Sequence, residues 1–161
     1  MRQPVAAVAA FFIAAVFLSS ATAGPNAADG QKVDACLKAA TENGASGVAC
    51  IGIVADPCIA AASKTDSYIK DSAACAAREL AIWTTRLQRA VQSASKGGGK
   101  TTATAVAASQ KSFADSLAKL CPLFENLDPG MSLGGSAYCR LHATAIRVLA
   151  LERLADAVNP H

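Results

Sequence analysis

Apolar residues recur every three or four positions along most of the chain, and no stretch of four to eight residues alternates as a half-buried strand requires. The strongest run begins near Ser67, where Ile69, Ala73, Ala76, Leu80, Trp83, Leu87 and Ala90 keep a three-four spacing. That repeat predicts one long helix with a single seam facing a core. Val106, Gln110, Phe113, Leu117, Leu120 and Phe124 repeat the spacing over a second long helix, which Pro122 should bend or end near Cys121. A third is expected from about Ser136 to Val158, with Tyr138, Leu141, Ala145, Val148 and Leu151 as its seam and Ile146 and Leu149 widening it.

Shorter elements come before these. Val33, Cys36, Leu37 and Ala40 place a short amphipathic helix over residues 32–43, stopped by Asn43-Gly44. Ser46 opens a following helix through Cys50 to Val54. Asp56-Pro57 breaks it and caps a further turn or two containing Cys58, with Pro at the first helical position. Residues 95–100, with three consecutive glycines, read as a flexible exposed turn. Residues 126–130 with Gly134-Gly135 read as a loop. The expected fold is therefore all-α: a small bundle of about five helices, the last three long and antiparallel.

The start of the chain has a different pattern. Arg2 precedes a continuous apolar run over residues 5–18, and Ser19-Ser20-Ala21-Thr22-Ala23 ends in the small-x-small pattern that a signal peptidase accepts. The run is too short for the ~20 apolar residues that cross a bilayer, so residues 1–23 read as a signal peptide cleaved before Gly24. No Cys follows the run, so no lipid anchor is expected, and the product belongs in a periplasm or outside the cell. Residues 24–30 read as a flexible polar tail and 31–161 as a single domain.

Export changes the reading of the six cysteines, Cys36, Cys50, Cys58, Cys75, Cys121 and Cys139. An even set in a small exported domain points to three disulfides. Of the fifteen possible pairings, the local set Cys36–Cys50, Cys58–Cys75 and Cys121–Cys139 is preferred, because each would staple one helix to its neighbour. Cys121–Cys139 is the safest, being far from the other four. A metal site is disfavoured: there is no C-x-x-C pair, and the histidines are His142 and the C-terminal His161.

Composition agrees with packed helices. Of the 138 residues after the signal, 30 are Ala, and the aromatics are Tyr68, Trp83, Phe113, Phe124 and Tyr138. The core is thin, so the fold should weaken markedly on reduction. The mature charge of +2, from 14 basic and 12 acidic residues scattered evenly, excludes a nucleic-acid surface.

Little of this points to catalysis. Gly99-Lys100-Thr101 matches the end of a phosphate-binding loop, but Ala94 stands where its first Gly belongs and the preceding segment is helical. His142 is the one credible histidine and the thiols are spoken for, so no nucleophile, base and orienting group come together. Glu42, Glu79, Glu125 and Glu152 show no pairing across one cleft. No cofactor and no catalytic residue is assigned. One polar arrangement stands out: Glu79 lies one turn before Trp83, and Arg147 lies mid-way along the last helix, so an inter-helix ion pair beside the indole is expected to fix the bundle's register.

Cys75-Ala76-Ala77-Arg78-Glu79, then Trp83 and Leu87, resembles the first long helix of the LprI-like family, small exported bacterial domains named for a lipoprotein that inhibits lysozyme. Gln110 with Phe113 stands where that family has Gln and then Trp. Cys121 with Phe124-Glu125, then Gly134-Gly135, Cys139, Thr144, Arg147 and a Leu-rich end complete the resemblance, over about residues 58–154. It departs in Phe113, in the absence of a lipid-attachment Cys, and in Cys36 and Cys50 lying in an N-terminal extension. The resemblance implies a disulfide-stapled helical domain in the cell envelope and an inhibitor of a lysozyme-type, cell-wall-degrading enzyme. The element expected to enter the enzyme's cleft is the loop from Leu123 to Gly135, with Glu125 and Asp128 meeting basic groups. The alternative is a small envelope structural or interaction module whose partner is another protein or the wall surface, with no lysozyme inhibition.

Overall fold

The computed structural model describes residues 26–126 and 134–159, and these form five α-helices: α1 (Ala27–Glu42), α2 (Ala55–Ala62), α3 (Tyr68–Gly97), α4 (Gly99–Leu120) and α5 (Gly135–Val158). Two 3-10 turns, Gly47–Cys50 and Cys121–Asn126, complete the description. No strand occurs among the described residues, as the periodicity implies. Residues 1–23, expected to be a signal peptide, and Asp128 lie outside the described residues.

Side-chain contacts fix the directions. The starts of α3 and α5 meet where Gly134 approaches Ser72 and Ala76, and their ends meet where Asn159 bonds the Ser93 carbonyl. These two helices are therefore parallel neighbours. Helix α4 descends between their far and near ends, from the Ala94 and Ala155 level to Cys121, which is bonded to Cys139. Consecutive long helices thus alternate in direction.

Three disulfides form, Cys36–Cys50, Cys58–Cys75 and Cys121–Cys139, which is the local set. The first ties α1 to the 47–50 turn, the second α2 to α3, and the third the end of α4 to the start of α5. Bridges closing loops of this length contribute about 2–4 kcal/mol each, chiefly by restricting the unfolded chain.

The main core gathers Val33, Val54, Ile59, Ile82, Trp83, Leu141 and Val148. A second, smaller cluster of Ala90, Ala94, Val106, Leu151 and Ala155 closes the far end. Trp83, Leu141, Val33 and Val148 are fully enclosed. Ile69, the first residue of the predicted α3 seam, is 54% exposed, and Ser72 and Glu79 are buried in addition to the apolar positions.

Four boundaries differ from the sequence reading. The expected tail over residues 24–30 is already helical from Ala27, because the Asn26 side chain accepts from the Ala28 amide and buried Asp29 bonds Arg78. The helix expected to follow Ser46 is a single 3-10 turn, with Ser46 accepting from Val48 N–H at 3.4 Å. Helix α2 starts at Ala55 rather than at Pro57, so Asp56 lies inside its first turn and does not cap it. The flexible turn at 95–100 narrows to Gly98, since both long helices run up to it and the positive φ of Gly99 makes the reversal.

Candidate functional site

Glu79 is the most enclosed charged group in the described chain, 0% exposed, and its carboxylate is saturated by donors. Gly52 N–H donates to Oε1 at 2.8 Å, Val54 N–H to Oε2 at 2.8 Å, Ala55 N–H to Oε2 at 2.7 Å and the Trp83 indole to Oε1 at 2.9 Å. Local sequence explains the arrangement. Helix α2 begins after Val54, which has no side chain able to cap, so its first amides need an acceptor from elsewhere. A carboxylate one helix away supplies it and also meets the positive end of the α2 dipole. Gly52, at φ 93°, makes the turn that brings its own amide round. Glu79 therefore caps α2 and holds the Trp83 ring; it is not paired with Arg147, as the sequence reading expected.

Arg147 is engaged elsewhere. Its guanidinium lies 5.9 Å from the Phe113 ring centroid, donates to Ser109 Oγ and reaches Gln110 Oε1 at 3.5 Å. The residues singled out on α4 and α5 are thus brought together with each other, away from Glu79. Thr144 is buried and Leu87 is half-buried against both cores.

Two further ion-pair systems hold α1. Arg78 donates from Nη2 to Asp29 Oδ1 at 2.8 Å, and also from Nε to Oδ2; this bonding raises the Arg78 pKa above its ordinary value. Arg86 bridges three helices, donating from Nη1 to Asp34 and from Nη2 to Glu152 at 2.8 Å, with its guanidinium 6.0 Å from the Trp83 ring centroid. Sequence reasoning passed over these residues, because charges at helical spacing look alike whether they face water or another helix. The Tyr138–Asp56 contact was also missed. The phenol donates to Asp56 Oδ1 at 2.8 Å, and burial, then the Asp56 bond and charge, and finally the Glu79 charge push its pKa up to about 12.

The loop expected to contact a partner is described only at its two ends. Leu123 is 60% exposed and Leu120, on the other side of Cys121, is 49% exposed, while Cys121 itself is 0% exposed. The bridge to Cys139 therefore mounts two apolar side chains on an anchored backbone. Glu125 serves the fold, since its Oε1 accepts from Ser136 N–H at 3.1 Å, in the first turn of α5. That bond resembles the capping of α2 by Glu79, because Gly134 at the α5 start offers no side-chain cap.

A polar groove of about 390 Å³ lies on another face, between α1, the 47–50 turn, α3 and α5. No group of three or more metal-ligating side chains occurs among the described residues, and no helix among them is long and apolar enough to cross a membrane. No family model, no curated protein and no solved structure matches this chain.

Proposed function

We propose that the mature chain is an exported bacterial binding domain of the lysozyme-inhibitor kind, which blocks a cell-wall-degrading enzyme by inserting the apolar element around the Cys121–Cys139 bridge. The observation that carries this reading is the pair Leu120 and Leu123, 49% and 60% exposed on either side of a fully buried Cys121. Exposed leucines on a backbone already fixed by a bridge lose little conformational freedom on binding, which favours affinity. Three disulfides suit an oxidising compartment, and the short apolar run before Gly24 suits export. The resemblance of the residues from Cys75 to Arg147 to the LprI-like pattern supplies the enzyme class.

The test is a cell-wall lysis assay with purified residues 24–161 against several lysozyme types. Slowed lysis at micromolar excess is expected, together with its loss in Leu120→Asp/Leu123→Asp. Both positions are exposed, so that variant should keep the parent's circular dichroism. Unchanged lysis by every enzyme tested would remove the reading.

A further inference from the structure

The groove between α1 and α5 has charge of both signs on both walls. Asp34 and Lys38 stand one turn apart on α1, and Glu152, Arg153 and Asp156 stand on α5. Arg86, between the walls, is committed to Asp34 and Glu152 and is 17% exposed. Among the described residues neither Arg153 nor Asp156 enters an ion pair, and Lys38 has only a 3.8 Å contact with Glu42 in which both partners are well exposed. Pairs of that kind hold little energy and exchange readily. The groove thus offers Lys38 and Arg153 as available cations and Asp156 as an available anion.

The apolar part of the groove is as specific as the charges. A Cβ at Gly47 would stand 2.7 Å from Leu37 Cδ2 and 2.9 Å from Leu149 Cδ2, so the Gly47 backbone packs directly against the ends of these two leucines. Leu37, Leu149 and the Gly47 backbone form an apolar strip between charged rims. Arg86 Nε is buried and has no hydrogen-bond partner, which leaves the guanidinium one donor short.

We infer that this groove is a binding site for a dipolar small molecule, a short peptide with a free ammonium and a free carboxylate joined by an alkyl segment. An occupant of one sign would meet as much repulsion as attraction from these walls, whereas a dipolar one meets complementary charge at each end. Its carboxylate faces Lys38 and Arg153, its ammonium faces Asp156, and its alkyl segment lies on Leu37 and Leu149. The volume is near the lower end of the ~300–1,000 Å³ usual for small-molecule sites, which fits a dipeptide. The site is independent of the inhibitor reading: residues 149–156 begin ten positions after Cys139, about 15 Å further along α5 at 1.5 Å per residue.

The experiment is an amide-resonance titration of the mature protein with Nα-acetyl-Lys-Ala, which keeps one ammonium and one carboxylate, with its Nε-acetylated form and its C-terminal amide, and with Nα-acetyl-Lys-D-Ala as a further arm. Saturable shifts at Leu37, Gly47 and Leu149 are expected, with a dissociation constant on the order of millimolar. Either blocked form should bind at least about tenfold more weakly, as should the exposed-surface variant Arg153→Ala/Asp156→Ala, whose melting temperature checks its fold. Preference for Nα-acetyl-Lys-D-Ala would mark a wall-derived peptide, and equal or preferred binding of Nα-acetyl-Lys-Ala would mark a protein-derived one. No saturable shift at these amides would overturn the inference, as would equal affinity for blocked and free dipeptides or undiminished binding by the folded double variant.

Discussion

Helix α3 buries eight of its 30 residues whereas α4 buries only Val106 of its 22, although the two show the same three-four apolar repeat in the sequence. The difference lies in what faces each seam. Opposite α3 stand α2, α5 and α1, brought close by the Glu79 cradle, the Arg78 and Arg86 ion pairs and the Cys58–Cys75 disulfide. Opposite the middle of α4 stands the Arg147 side chain, laid across Phe113 and bonded to Ser109 and Gln110, so Phe113 and Leu117 are only half-covered. Periodicity selects which face of a helix turns inward, but polar partners and bridges decide how closely the neighbour approaches. One half of the molecule is a locked scaffold; the other is a flank held mainly at its two ends, by the turn at Gly98 and by Cys121–Cys139.

The largest effect that separates the halves should come from Glu79→Ala. It strands three backbone amides and the indole N–H in an enclosed site, and a loss of about 3–5 kcal/mol is expected in urea unfolding. A loss under about 1 kcal/mol would mean that the cradle is not the lock described. Aromatic truncation sharpens the contrast. Trp83→Ala, at 0% exposure, should cost about 3–5 kcal/mol, and the half-covered Phe113→Ala clearly less, about 1 kcal/mol. Equal losses would erase the distinction between scaffold and flank.

Bridge removal probes the same contrast more finely. Cys58–Cys75 and Cys121–Cys139 span 17 and 18 residues, so the chain-entropy contribution of each is about 3 kcal/mol. The consequences should differ in kind. Without Cys58–Cys75 the protein should unfold in one step. Without Cys121–Cys139, loss of helical circular dichroism should precede the change in fluorescence of Trp83, the sole Trp, which sits in the scaffold. Coincident curves for the second variant would contradict a separately releasable flank.

The smallest effect concerns pH. Tyr138 has a folded pKa of about 12 against an ordinary value of 10.0, so the neutral phenol stabilises the folded state. That contribution is full below pH 10 and is lost as the pH rises from 10 towards 12. Discounted for its partial exposure, it is about 1 kcal/mol. Tyr138→Phe should flatten this alkaline decline, as followed by unfolding at pH 9 and pH 11.5; an unchanged slope would remove the Tyr138–Asp56 bond from the account.

How legible this was in the sequence depends on the kind of interaction. The helices, their order and the local disulfide set followed from apolar spacing, glycine pairs and cysteine intervals. The partners of the buried carboxylates did not, because Asp29 lies in a stretch that reads as a polar tail and nothing in the apolar repeat shows which groups face Glu79. The clue to Glu79 was the start of α2, a Val-Ala-Asp-Pro sequence with an acid after the first amides instead of before them. An uncapped helix start calls for an acceptor from another element, and Glu79, one turn from Trp83, was the available one. Arg147 shows the same limit: its place on the last helix suggests a charged partner beside the indole, while the structure places the neutral Ser109 and Gln110 beside it.

Native-state hydrogen exchange tests the central contrast most directly. Amides of α3 from Cys75 to Ala90 should exchange only through global unfolding, whereas those in the middle of α4, from Ala107 to Ala118, should open at least about 2 kcal/mol more easily. Equal opening free energies in the two helices would contradict a locked scaffold carrying a loosely held flank.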